Sequence, residues 1–217
     1  MGKVRECFVI LVNAILAGIF IGMAGNVFLS VENRVIGAFL FGFGLLTIVC
    51  YGFKLYTGAI GYLANQKRNT PNYILQLCVI WAGNFIGTNL VGLAVRHARI
   101  GSAVAARADA LCRVKLADTW PSWLILSFFC GILMYLAVET FRRKEEFAPA
   151  VRVVVLFLCV AIFILSGFEH CIANMFYFAA SAMWSPESLT AILVMTLGNS
   201  LGGMMLPVAD RLRGANR

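Results

Sequence analysis

Ser166-Gly167-Phe168-Glu169-His170-Cys171-Ile172-Ala173-Asn174-Met175 sets a carboxylate beside an imidazole inside a long apolar run. Its flanks, Val153 to Ser166 and Met175 to Met183, have the composition of membrane-buried helix. An ionisable group at that depth is costly and marks a functional site. The rest of the chain supports a membrane setting: 61% of the 217 residues are hydrophobic and only 13% charged, with mean hydropathy +0.85. A soluble domain is closer to half apolar and a quarter charged. The apolar run from Phe8 to about Leu29 is too long for a signal-peptide core and reads as a first span.

Six segments are long and apolar enough to cross a bilayer: 8–29, 35–64, 72–95, 121–141, 151–183 and 187–209. An even number puts both termini on one side. Lys3, Arg5, Lys67, Arg68, Arg142, Arg143, Lys144, Arg152, Arg211 and Arg213 share that side, which the positive-inside rule makes the cytoplasm. The net charge of +8 is therefore a topology signal at the ends of apolar runs, not a nucleic-acid footprint. The connection from Arg96 to Thr119 is basic yet falls outside; its alanine content predicts an extended or interfacial helix. The seven cysteines are scattered without a C-x-x-C pair, so they read as small apolar residues and no metal or cofactor is expected.

The second and fifth spans exceed the length a bilayer needs, and each is interrupted. The interruption in the second is Gly52-Phe53-Lys54-Leu55-Tyr56-Thr57-Gly58; in the fifth it is the stretch quoted above. Gly52-Phe53-Lys54 becomes Gly167-Phe168-Glu169 on adding 115, and Gly83-Asn84-x-x-Gly87 becomes Gly198-Asn199-x-x-Gly202 at the same offset. Ala17-Gly18-Ile19 and Cys130-Gly131-Ile132 align at 113. This pattern predicts an all-α membrane protein of six helices, built as two inverted three-helix repeats over residues 1–96 and 120–213 within a single channel domain, 1–217. Backbone freed by a break at membrane depth must be buried or line a wet cavity. Thr57, His170 and Asn174 are the polar side chains placed to line such a site. Glu169 is expected to bond freed backbone N–H groups of the facing break. Lys54 either pairs with Glu169 or another buried acceptor, or attracts anions from a vestibule. Asn84 and Asn199 should bond backbone between helices, and Thr57 either caps its half-helix or touches substrate.

These residues resemble the formate/nitrite transporter family of pentameric anion channels. The motifs that carry the resemblance are Lys54-Leu55-Tyr56-Thr57-Gly58, Gly167-Phe168-Glu169-His170-x-x-Ala173-Asn174-Met175 and Gly198-Asn199-x-x-Gly202-Gly203. The resemblance implies an aquaporin-like protomer with its own pore, a central His170 near Thr57, and apolar constrictions at Leu55 and Phe163, with Phe41 and Leu45 beside them. It also implies that Lys115 influences the histidine, that the chain forms a homopentamer, and that the protein is a multi-pass component of a bacterial inner membrane. Its expected substrates are small monovalent anions such as formate, nitrite or hydrosulfide, moved with or without a proton and without a cofactor. Two positions depart from the family pattern: Lys54 stands where an acidic residue is usual, and Gly131 where an asparagine is often found.

The competing function is an aquaporin-like channel for small neutral solutes, but the Asn-Pro-Ala signature of such pores is absent. An enzyme using Glu169 and His170 lacks an accompanying nucleophile, metal cluster or soluble catalytic domain.

Overall fold

A computed structural model describes residues 2–65 and 70–214; Lys67 and Arg68 fall outside the described residues. The first long helix, α1 (Gly2–Ser30), is followed by α2 (Arg34–Tyr51), the short α3 (Tyr56–Ala59) and a 3-10 turn at Ile60–Asn65. Then come α4 (Thr70–Arg96), α5 (Gly101–Leu116), α6 (Trp120–Arg142), α7 (Pro149–Leu165), α8 (Cys171–Ser181) and α9 (Pro186–Leu212). By length and composition, α1, α2, α4, α6 and α9 can each cross a membrane, while α7 and α8 are shorter apolar pieces. The spans expected at 35–64 and 151–183 are thus each two helices meeting at a break. The basic connection forms α5, which is helical and packs on α8.

Both breaks have one local cause. At Gly52 and Gly167 the backbone turns left-handed, with φ of 73° and 71°, a conformation glycine adopts without steric cost. Phe53 N–H then donates to Ile48 C=O at 3.0 Å, and Phe168 N–H to Phe163 C=O at 2.9 Å. These are the closing bonds of a Schellman motif, which satisfies the last carbonyls of α2 and α7.

Packing recurs between the two parts of the chain. Helix α1 lies along α4 as α6 lies along α9, and α1 meets α2 as α6 meets α7. The short helices cross over: α8 packs on α4, while the 3-10 turn packs on α9. The glycines show how close the long helices come. A Cβ at Gly87 would strike Ile15 C=O of α1, and one at Gly202 would strike Phe128 C=O of α6. Glycine in these interfaces lets backbones touch. A Cβ on Gly131 would likewise strike the Asn199 backbone carbonyl, so α6 has no room for a side chain there. Gly87→Ala and Gly202→Ala are each expected to destabilise the fold by roughly 1–3 kcal/mol, the scale of overpacking. Thermal unfolding in detergent reads this directly, with Gly2→Ala, whose Cβ meets nothing within 4 Å, as the unchanged control.

Candidate functional site

The broken backbone is held by one asparagine at each break. Asn84 Oδ1 accepts from Tyr56 N–H at 2.9 Å, and its Nδ2 donates to Ala14 C=O and Lys54 C=O, both at 2.8 Å. Asn199 repeats this set. Its Oδ1 accepts from Cys171 N–H at 2.9 Å, and its Nδ2 donates to Ser127 C=O at 2.7 Å and Glu169 C=O at 2.9 Å. A fourth bond ties each break to a long helix: Lys54 N–H to Asn13 C=O and Glu169 N–H to Leu126 C=O, each 3.3 Å. Both asparagines are fully buried and bond backbone between helices, as their sequence positions suggested. Glu169 does not serve the facing break, which is a correction. The amide side chains already satisfy that backbone, and the carboxylate goes elsewhere.

Glu169, 5% exposed, accepts from Lys115 Nζ at 2.5 Å and from Asn174 Nδ2 at 2.7 Å. The same Asn174 nitrogen lies 3.0 Å from Met195 Sδ. A buried carboxylate needs such compensation, and α5 supplies it from outside the break. Lys54 is not its partner. It is exposed and lines a cavity at the other face of the chain.

His170 is the N-cap of α8, its Nδ1 accepting from Ala173 N–H at 3.1 Å. A nitrogen that accepts a backbone N–H carries no proton, so the neutral ring holds its proton on Nε2. That nitrogen lies 3.0 Å from Thr57 Oγ1, and therefore donates to it. The hydroxyl hydrogen of Thr57 is left to point elsewhere. Thr57 does not cap α3, whose N-cap Leu55 makes no side-chain bond. His170 is 2% exposed and Thr57 fully buried. The Phe163 ring lies 5.6 Å from the imidazole, centroid to centroid, and Phe41 meets Phe163 edge-on at 5.8 Å. Leu45 follows Phe41 by one turn of α2, and both are buried.

Two cavities lie toward opposite ends of α1, and His170 lines neither. One, of about 720 Å³, is bounded by Arg5, Glu6, Lys54, Leu55, Tyr62 and Arg142 among others. Its wall is braced by Tyr62 O–H donating to Glu139 at 2.6 Å, by the Arg143–Glu139 pair at 2.9 Å, and by Arg142 stacked 4.5 Å over Tyr62. The other, of about 480 Å³, is lined by Phe28, Leu29, Val31, Glu32, Arg34, Arg107 and Leu111. There Arg34 donates to Ile164 C=O at 3.1 Å and Arg107 to Leu29 C=O at 2.8 Å. These two arginines, and the capping role of His170, were not among the sequence expectations. The depth of α5 was readable: Gly101, Val104, Ala108 and Cys112, all buried, recur at helical spacing as an apolar stripe between the basic residues.

Long apolar helices packed around two helix breaks are the build of a multi-pass membrane protein. A model of the formate/nitrite transporter family matches residues 3–209, and the chain belongs to that family. It is 29% identical over 214 residues to the nitrite transporter NirC of Escherichia coli, covering 88% of this chain and 78% of that one. It is 22% identical over 204 residues to the formate channel FocA of Haemophilus influenzae, covering 79% and 70% respectively. Among solved structures, a pentameric formate channel with formate bound superposes with a TM-score of 0.82 at 26% identity, over 98% of this chain and 99% of that chain.

Proposed function

We propose that the chain conducts small monovalent anions of the formate, nitrite or hydrosulfide class, with a pH dependence set by His170. The Thr57–His170 hydrogen bond carries this reading. It joins the two breaks at a buried point between the two cavities. An anion entering this region leaves water for a setting of apolar rings, where an unsolvated charge meets a large barrier. Thr57, supplied with a hydrogen bond by His170 Nε2, has its own hydroxyl hydrogen free to donate to the anion. Leu55 on one side, and Phe163 with Phe41 and Leu45 on the other, exclude water and form the constrictions.

In this reading the repeated bonds and glycine contacts belong to two inverted three-span halves, roughly 1–96 and 120–213, of an aquaporin-like protomer. Both termini face the cytoplasm of a bacterial inner membrane. Likeness to the pentameric formate channel supports a homopentamer. The test is flux of formate, nitrite and hydrosulfide into proteoliposomes across a pH series, beside glycerol as a neutral solute. Anion flux well above glycerol flux is expected. Glycerol passage without anion flux would replace this reading by a neutral-solute pore. In Thr57→Val, loss of a hydrogen bond to the anion should lower flux roughly fivefold, corresponding to about 1 kcal/mol.

A further inference from the structure

The two breaks present an ionisable side chain at one equivalent backbone position, and the two are treated differently. Lys54 and Glu169 each donate their N–H to a long helix and each lend their C=O to a buried asparagine. Glu169 is buried and neutralised by Lys115. Lys54 is exposed, and its ammonium has no hydrogen-bond or ion-pair partner among the described residues. Its backbone is clamped at both ends, so its Cα is fixed at the larger cavity, into which a flexible four-carbon stem carries the ammonium. Arg5 and Arg142 line that cavity with it, against one carboxylate, Glu6, among the described lining residues. The next residue, Leu55, is 4% exposed and begins the apolar region; Thr57 follows two positions later. Among the described residues that line this cavity, Lys54 is the cation adjacent in sequence to the constriction residue Leu55.

The geometry assigns Lys54 as a specificity-determining residue, the ammonium that concentrates the charged form of the substrate at the mouth of the constriction. The assignment rests on the anion-conducting reading above and deepens it: the species gathered is the anion, not its neutral acid. Lys54 does not enter the buried cluster. It acts on occupancy of the mouth, so it changes the anion concentration giving half-maximal flux and leaves maximal flux nearly intact. A mouth lined by one sign of charge raises local counter-ion concentration. A unit charge about 6 Å from an ion in water changes that concentration about threefold.

The experiment is formate flux against concentration for wild type, Lys54→Arg, Lys54→Gln and Lys54→Glu in proteoliposomes, at low ionic strength and at 1 M potassium gluconate. At low ionic strength the half-maximal concentration should rise about threefold for Lys54→Gln and about tenfold for charge reversal in Lys54→Glu. Lys54→Arg should match wild type. At about 1 M salt, where screening acts over about 3 Å, all four curves should converge, which also shows that the variants are folded. Loss of flux that is equal at both ionic strengths would overturn the assignment, because the lysine would then act through packing. Curves for Lys54→Gln and Lys54→Glu indistinguishable from wild type at low salt would overturn it too. Wild type that carries none of formate, nitrite and hydrosulfide fails the transport reading and this assignment together; wild-type transport of any of the three, measured in the same series, with unaltered variants fails the lysine alone.

Discussion

His170→Phe is expected to abolish the pH dependence of anion flux and most of the flux itself. The phenylalanine ring can fill the space between Phe163 and Thr57, but it neither titrates nor bonds Thr57 Oγ1. It also removes the acceptor of Ala173 N–H, and loss of a helix N-cap costs about 0.5–2 kcal/mol. His170→Asn separates these effects. Asparagine is a good N-cap, its Oδ1 standing where imidazole Nδ1 now accepts, while the bond to Thr57 is lost. This variant should unfold near the wild-type temperature yet carry anions without a pH response. The cap also shapes the chemistry of the native ring. A second proton can go only on Nδ1, where it faces Ala173 N–H, so the ring takes up charge only as the cap opens, while its Nε2 proton stays directed at Thr57 in either state. Imidazole is the side chain whose charge changes across physiological pH. A wild-type pH profile retained in His170→Phe would refute this account.

Lys115→Met is expected to be the most destabilising single change. Lys115 and Glu169 are both nearly buried, with side-chain exposures of 10% and 6%, and removing one partner leaves an uncompensated carboxylate. Breaking a buried pair in this way costs roughly 3–5 kcal/mol. Asn174 would remain as the single neutral donor to Glu169. The double variant Lys115→Met with Glu169→Gln removes the orphaned charge and should recover much of the loss, since an apolar or neutral replacement of a whole pair is often close to neutral. Thermal unfolding in detergent measures both. Equal destabilisation in the single and double variants would show that α5 is held by packing alone, without the ion pair.

The parts of the fold legible in the sequence were those with local causes. Gly52 and Gly167 sit at left-handed positions that demand glycine, and the offset of 115 that links them also links Asn84 to Asn199. The offset of 113 between α1 and α6 reappears as matching contacts, Ile15 with Gly87 and Phe128 with Gly202. What the residues alone left open was pairing over distance. Lys115 meets Glu169 across 54 positions and Thr57 meets His170 across 113, and no periodicity encodes either separation. The resemblance to a known family brought Thr57 to His170 and gave Lys115 an influence on the histidine, but it did not pair Lys115 with Glu169. Of the sequence readings of Lys54, α5 removes pairing with Glu169 by bringing Lys115 to that carboxylate. His170 as an N-cap escaped notice because that position is read from hydroxyl and amide side chains, not from imidazole.

The crossing of the short helices has a consequence for symmetry. Helix α8 rests on α4 and the 3-10 turn on α9, so each part of the chain holds the other's break in place. Two identical three-helix units assembled as separate chains could bring to this meeting point only matched residues: two imidazoles, two leucines, two lysines or two carboxylates. Covalent continuity removes that restriction. One chain can put Leu55 at the position where the other break has His170, and Lys54 where it has Glu169, giving one proton-bearing ring beside one hydroxyl at a point where a symmetric dimer would have to duplicate or omit it.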